Sequence, residues 1–405
     1  MNFTGFKNSK IYVYGKGIVE TSLLVKDGKI AQIGDVNEGL ELPKNLIVIP
    51  GFVDKHIHGA NHADFMYPTK DALNKICGSV FKEGTTSLLA TTMTQSVEAI
   101  NASIKNIGEY IDEKHNGVEI LGIHLEGPYV SLKYAGAQPP EYIIKCDIES
   151  FKKFNEVSNN HIKQVSLACE ENGLDFIKYL VENNIVASVG HSNSTCELVI
   201  QAADMGASSI THTYNASRGI HHRDIGVTGA AMIDDRYSCE LICDLIHVSG
   251  PAIKLLYKTK GKDNICLITD SIEAKYMPDG KYSLGGQPVF VENNAARLES
   301  GTLAGSTLKM NEGVYNFMNT LGLSLEDAVD CATINPARVI HVDDRKGSIE
   351  IGKKANMTVI NLDEKWTVDA SKFKSKCRIS PFDKFELKGK AIMTIINGKI
   401  INIGQ

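Results

Sequence analysis

Through the middle of the chain, short apolar runs rich in β-branched residues alternate with longer stretches whose apolar positions recur at helical spacing. Eight such runs stand at residues 53–58, 87–92, 121–126, 163–169, 186–191, 209–214, 240–247 and 265–270. Runs this apolar belong to strands buried on both faces, and their alternation with helices predicts parallel β/α units. Eight units within roughly 250 to 300 residues predict a (β/α)8, TIM-like barrel in an α/β chain rather than an open doubly wound sheet. The two ends read differently. Residues 10–14, 22–26 and 29–33 form hairpin material around Asp27-Gly28, and residues 356–361, 391–396 and 399–403 repeat the theme around Asn397-Gly398. Neither end has enough strands to bury a core alone, so the two are expected to pack as one small β-sandwich domain, 1–50 with 346–405, around a barrel at 51–345. Residues 282–297 break the alternation and read as an inserted hairpin, and Ser324 with Asp327 suits a helix N-terminus.

A chain of 405 residues exceeds the usual span of one core, in keeping with two domains. With 43% hydrophobic and 22% charged residues and a net charge of -5, it has an ordinary globular composition. That charge gives no global attraction to nucleic acid or an anionic membrane, so a phosphorylated ligand would need a local basic pocket. The N-terminal segment lacks the pattern of a signal peptide, no segment is apolar for long enough to span a bilayer, and a cytoplasmic location is expected. Nine cysteines, spread from Cys77 to Cys377 without a C-x-x-C pair, read as reduced core thiols. Three near misses carry no function. Residues 347–354 resemble a phosphate loop but end in Lys354 and run from helix to strand. Gly15-Lys16-Gly17 lacks the third glycine of a dinucleotide site. Gly190-His191-Ser192-Asn193-Ser194 lacks the closing glycine of a nucleophile elbow.

The residues able to do chemistry gather where the strand runs end: His56 and His58 on the first, Glu126 on the third, His191 on the fifth, His212 on the sixth and Asp270 on the eighth. Active sites of barrels lie at the C-terminal strand ends, so these distant positions should converge. His56 and His58, two apart on a strand, leave the same face and can grip one ion. Alone the pair reads equally as core or turn histidines; its place at the end of the first strand points to a metal. Glu126, His191 and His212 make a His2Glu set that leaves one position for water, an arrangement suited to hydrolysis. Asp270, which could otherwise cap a helix, is the expected general base. His124 faces the barrel interior as either a supporting partner or a packed core residue. His221 and His222 flank Arg223 without a clear role.

These residues sit in segments that resemble the amidohydrolase superfamily, and specifically the N-acetylglucosamine-6-phosphate deacetylases. The segments are Pro50-Gly51-Phe52-Val53-Asp54-Lys55-His56-Ile57-His58-Gly59, Gly122-Ile123-His124-Leu125-Glu126-Gly127-Pro128, Val189-Gly190-His191-Ser192, His212-Thr213-Tyr214-Asn215-Ala216 and Leu303-Ala304-Gly305-Ser306. The resemblance implies that Glu126, His191 and His212 hold the catalytic metal, with His56 and His58 available for a second, and that Asp270 is the acid and base. It implies a substrate site lined by Ala137, Gln138, Asn215, Ala216, Arg223 and His247, with the loop Leu303, Ala304 and Gly305 beside it. The expected cofactor is one or two divalent ions per subunit, zinc first, with iron, manganese or cobalt as alternatives. The expected partners are an amino-sugar phosphate and a second copy of the chain, since the equivalent arginine reaches the ligand of a neighbouring subunit. Two departures stand out. Gln138 replaces a frequent histidine, which would change a substrate contact, and Asp244-Leu245-Ile246-His247 replaces Asp-Gly-x-His, which would alter the pocket around the sugar.

The expected reaction is hydrolysis of the N-acetyl group, with Asp270 taking a proton from water and returning it to the leaving amine. The alternatives are an N-acetylgalactosamine 6-phosphate or cyclic-amide substrate and, from another class, a noncatalytic scaffold. The complete ligand set argues against the last.

Overall fold

The computed structural model describes residues 3–113, 115, 117–361, 366–367, 386–387 and 390–402. Eight parallel strands follow one another in chain order around a barrel: β1 (Phe52–Ile57), β2 (Thr85–Thr91), β3 (Glu119–Glu126), β4 (Ile162–Leu167), β5 (Val186–Val189), β6 (Ser209–Ile210), β7 (Ser238–Ile242) and β8 (Ile265–Ile268). All eight runs of the sequence pattern correspond to these strands. The barrel is nearly closed. At its upper seam the Asp270 N–H donates to the His56 carbonyl at 2.9 Å, while lower down Leu267 and Val53 donate to the carbonyls of Cys331 and Ala332 at 2.8 and 2.9 Å. Helices cover the outside, several begun by side-chain caps at Thr69, Ser96, Asp147, Thr195 and Ser324, whose hydroxyl or carboxylate oxygens accept a first-turn N–H. Among the described residues no helix is long and apolar enough to cross a membrane.

The terminal segments share one sheet, in the order Lys399–Asn402, Lys390–Ile396, Met357–Asn361, Leu46–Pro50, Gly5–Val13, Gly17–Lys26 and Lys29–Gly34, with Leu40–Glu41 added beside Gly5–Val13. The antiparallel pairing of Leu46–Pro50 with Met357–Asn361 joins the two ends of the chain. Two turns make the outer hairpins tight: Asp27 and Gly28 have φ 50° and 73°, Asn397 and Gly398 have 49° and 72°, the left-handed pairs in which Asx-Gly is favoured. The sheet curls until the Ile30 N–H meets the Lys353 carbonyl at 2.9 Å, enclosing a core of its own around Phe6, Ile11, Leu23, Val48, Met357 and Ile395. Ile403, the end of an expected strand, and Cys377 lie outside the described residues; eight cysteines are described, all buried and free. Only Gly51 separates Leu46–Pro50 from β1, so the strand carrying His56 and His58 is tethered directly to this sheet.

The expected hairpin at 282–297 is larger. Gly280–Leu284, Gln287–Glu292, Ala295–Leu298 and Leu303–Ser306 form a four-stranded antiparallel sheet over the C-terminal end of the barrel. Leu303, Ala304 and Gly305 therefore stand on an edge strand rather than in a loop.

Candidate metal centre and substrate cleft

Three strands end too early to contain the residues assigned to them. His191, His212 and Asp270 each lie two residues beyond β5, β6 and β8, with φ of 46°, 27° and 48°. Left-handed backbone is costly for residues other than glycine and tends to persist where a site demands it. Here it turns each side chain inward over the barrel mouth. On β1, the pairing register with β2 is irregular between Asp54 and Ile57, a local distortion of the kind that re-aims side chains beside active sites.

The result is one cluster. Glu126 Oε1 lies 3.1 Å from His212 Nε2, 3.3 Å from His191 Nε2 and 3.4 Å from His56 Nε2. Its other oxygen lies 3.2 Å from His58 Nε2, which is itself 3.1 Å from Asp270 Oδ1. His191 and His212 face each other through their Nε2 atoms at 3.0 Å. Two triads, His56-His58-Glu126 and Glu126-His191-His212, each bring three ligand atoms within 4.8 Å of one another. All these side chains are buried.

A cation fits this set. Ligand atoms bound about 2.0–2.1 Å from a tetrahedral zinc lie roughly 3.4 Å apart, close to the separations around Glu126 Oε1. His191 is oriented for the task, because Nδ1 donates to the Tyr134 carbonyl at 2.9 Å and leaves an Nε2 lone pair aimed at the cluster. Among the described residues His56 Nε2 is buried with no hydrogen-bond partner. Glu126 and Asp270 bring two carboxylates with no lysine or arginine paired to them among the described residues. Burial alone would raise both carboxyls, but the charge of His56 and the facing imidazoles outweigh it and hold both below their ordinary values.

Gln138 does not stand free in the cleft. Its Nε2 donates to Glu126 Oε2 at 3.0 Å while its Oε1 accepts the Thr94 N–H at 2.7 Å, so the residue that departs from the family pattern steadies Glu126. His247 is gripped by Asp244, whose Oδ2 lies 2.6 Å from Nδ1 and whose Oδ1 accepts the N–H groups of Ile246 and His247. Burial opposes protonation of His247, yet the hydrogen bond and charge of Asp244 raise its pKa above the usual histidine value. When protonated, the ring has a second N–H for a ligand in the cleft. The other departure has a different consequence from the one expected. Leu245 is exposed and does not line the cleft; it carries φ 65°, a conformation in which glycine is at ease and leucine is strained.

A cleft of about 430 Å³ opens above the cluster, within the range of small-molecule sites. Ala137, Gln138, Asn215, Ala216, His247, Leu303 and Gly305 line it together with His58, Glu126, His191, His212 and Asp270. Ala304 is buried behind this surface, and Arg223 is exposed with its guanidinium 2.8 Å from His222 Nε2, outside the lining of its own chain. His124 is a packed interior residue, 2.7 Å from Ser166 Oγ, and burial pulls its pKa well down. Lys133, Tyr134, Met93 and Thr302 also line the cleft and went unnoticed in the sequence. So did Glu240 and Lys55, buried side by side under His56; a charged residue inside each of two apolar runs was the available signal.

Residues 47–401 match the family model described as the amidohydrolase family. The N-acetylglucosamine-6-phosphate deacetylase of Lysinibacillus sphaericus is 41% identical over 346 residues, covering 83% of this chain and 88% of that one. An N-acetylgalactosamine-6-phosphate deacetylase of Escherichia coli O157:H7 is 35% identical, covering 84% and 90%. Among solved structures, a mutant N-acetyl-D-glucosamine-6-phosphate deacetylase from Mycobacterium smegmatis in complex with N-acetyl-D-glucosamine-6-phosphate superposes with a TM-score of 0.86 at 25% identity over 99% of each chain. With barrel, ligand cluster and cleft in place and the match extending over most of its length, the chain belongs to the amidohydrolase family.

Proposed function

We propose that this protein removes the acetyl group from N-acetylglucosamine 6-phosphate. The observation that carries the reading is the convergence of Glu126, His191 and His212 beneath a cleft that also presents Asp270 and His247. A divalent cation held by Glu126, His191 and His212 would supply Lewis-acid polarisation of the amide carbonyl and make water a stronger nucleophile at neutral pH. Asp270 is held ionised at the cleft floor, accepts the proton of the attacking water and then delivers it to the departing amine nitrogen. His247, held by Asp244 through Nδ1, would in its protonated form donate its free N–H to the carbonyl oxygen as negative charge develops there. Asn215 and the Ala216 backbone border the same space and orient the sugar.

The 35% identical relative from Escherichia coli gives a specific reason to weigh the galactosamine epimer. Acetate release from the two phosphorylated sugars, with elemental analysis of the same sample, separates the readings. The glucosamine compound is expected to give the larger kcat/KM, and the opposite order would move the assignment to the epimer. Protein purified without chelator should carry more than one equivalent of transition metal, zinc first, because His56 and His58 complete a second set with Glu126. A content that stays at one under supplementation would return those histidines to a structural or substrate-side role.

The phosphate needs positive charge on a chain of net charge -5. Lys133 is the one lysine or arginine among the described cleft residues, and Arg223 follows β6 on the exposed rim. In this reading the protein is a homodimer and Arg223 reaches the phosphate bound by the partner subunit, where a guanidinium fits bidentately. Phosphorylated sugars do not cross a bilayer unaided, so the reaction belongs in the cytoplasm. Arg223→Ala should raise KM for the phosphorylated sugar by about 10- to 100-fold, the range of a charged hydrogen bond, and leave KM for the unphosphorylated sugar near its starting value. Equal effects on both would remove Arg223 from the phosphate site.

A further inference from the structure

The barrel interior directly beneath the ligand cluster is polar, and its centre is a buried ion pair that the reaction above does not use. Lys55, on β1, and Glu240, on β7, pair through Nζ and Oε1, both with side chains 0% exposed. Lys55 also donates to Gln164 Oε1 at 2.9 Å and Ser209 Oγ at 3.1 Å, while Gln164 Nε2 donates to Glu240 Oε1 at 2.9 Å. The second oxygen of Glu240 points the other way. Oε2 lies 2.8 Å from His56 Nδ1 and accepts the His212 backbone N–H at 3.1 Å. One carboxylate thus touches a histidine of one triad and the backbone of a histidine of the other.

Two buried charges with this many partners are costly to desolvate, and such a pair adds little net stability over apolar residues of the same volume. Its position has a sharper consequence. A neutral imidazole that donates from Nδ1 carries its lone pair on Nε2, and His56 Nε2 is the buried atom that faces Glu126 and Asp270 with no hydrogen-bond partner among the described residues. Lys55 neutralises Glu240 from below, so that Glu240 accepts from His56 without bringing a third unpaired carboxylate to the cluster.

We infer that Glu240 is a positioning residue for the His56-His58 ion: it fixes His56 as the Nδ1–H tautomer, with Lys55 as its counter-charge. The inference rests on the two-ion reading above, and its test contains a readout on metal-free protein that does not. Lys55→Met/Glu240→Leu removes both charges together, so no uncompensated charge stays behind in the core. Lys55→Met/Glu240→Gln also removes both charges but keeps an oxygen for His56 and the His212 N–H.

In nitrogen-15 spectra of metal-free wild-type protein, recorded at a pH high enough to neutralise the ring, His56 should show a protonated Nδ1 and a bare Nε2. The leucine variant should lose that preference, and the glutamine variant should keep it. In zinc titrations the leucine variant should bind the His56-His58 ion about 10- to 100-fold more weakly than wild type, the usual effect of losing a partner behind a metal-bound histidine. The glutamine variant should hold both ions. A purely structural pair would change thermal stability in both variants alike and leave tautomer and ion affinities unmoved, and that result would overturn the proposal. Wild-type protein that binds a single ion while His56 keeps its tautomer through Glu240 would remove the two-ion reading and with it the assignment of an ion-positioning role.

Discussion

Asp270→Asn is expected to fold, to hold its metal and to lose turnover by about 10²- to 10⁴-fold, the range attributable to a positioned acid or base. The fold should survive because the structural work of this residue is done by its backbone: the N–H donates to the His56 carbonyl at 2.9 Å and the carbonyl accepts from the Ser306 N–H at 2.8 Å. Asparagine also tolerates the left-handed φ of 48° at this position as well as aspartate does. What it lacks is a basic oxygen. The acid half of the cycle fails with the base half, since a group that never takes the proton cannot return it to the amine nitrogen. Measured kcat, with circular dichroism and metal content on the same preparation, checks the expectation. A rate near that of the parent would rule out the role assigned to Asp270.

The barrel was legible because its strands are buried on both faces and so appear as uninterrupted apolar runs, as in Ile265–Ile268. The limits of those runs were not. Val189-Gly190-His191 and Ile210-Thr211-His212 run on past the strand ends at Val189 and Ile210 with no break in the sequence pattern, and only the backbone shows His191 and His212 at positive φ on the turns beyond. The run at 240–247 overshot for a related reason: Leu245 and Ile246 read as strand by composition but are exposed on the loop that presents His247. The last two strands of the four-stranded sheet are only four residues each, Ala295–Leu298 and Leu303–Ser306, and the small residues in them gave no periodic signal.

Within the cluster, the members carried by strand ends could be anticipated, whereas their supporting partners could not. Lys55 and Glu240 are 185 residues apart, and neither position announces the other. Gln138 read as a lost substrate contact because its motif position pointed toward the sugar; the hydrogen bond to Glu126 comes from the path of the chain between Tyr134 and Gln138, which no local pattern encodes. Arg223 shows the complementary limit, because a residue whose task would lie in the partner subunit has no geometry of its own to reveal within one chain.

His191→Ala and His212→Ala should each empty the main metal position and abolish activity in step with the metal. A structural zinc site contributes about 10–16 kcal/mol through four ligands, roughly 2.5–4 kcal/mol for each, so removing one imidazole should weaken binding by about 10²- to 10³-fold. Glu126 and a single remaining histidine then hold an ion too loosely to survive purification. Neither change is expected to unfold the barrel. Both residues stand beyond the ends of β5 and β6, and alanine at φ 46° or 27° meets much the same backbone strain as histidine. His191→Asn provides a second variant, since asparagine tolerates the left-handed turn and could still accept the Ser131 N–H with its main-chain carbonyl, which now receives it at 2.8 Å. Adding metal in large excess should restore part of the activity of His212→Ala if weak binding is the whole defect. Stoichiometric metal with full activity in either alanine variant would contradict the site, and lost activity with metal fully retained would move that histidine from ligand to substrate contact.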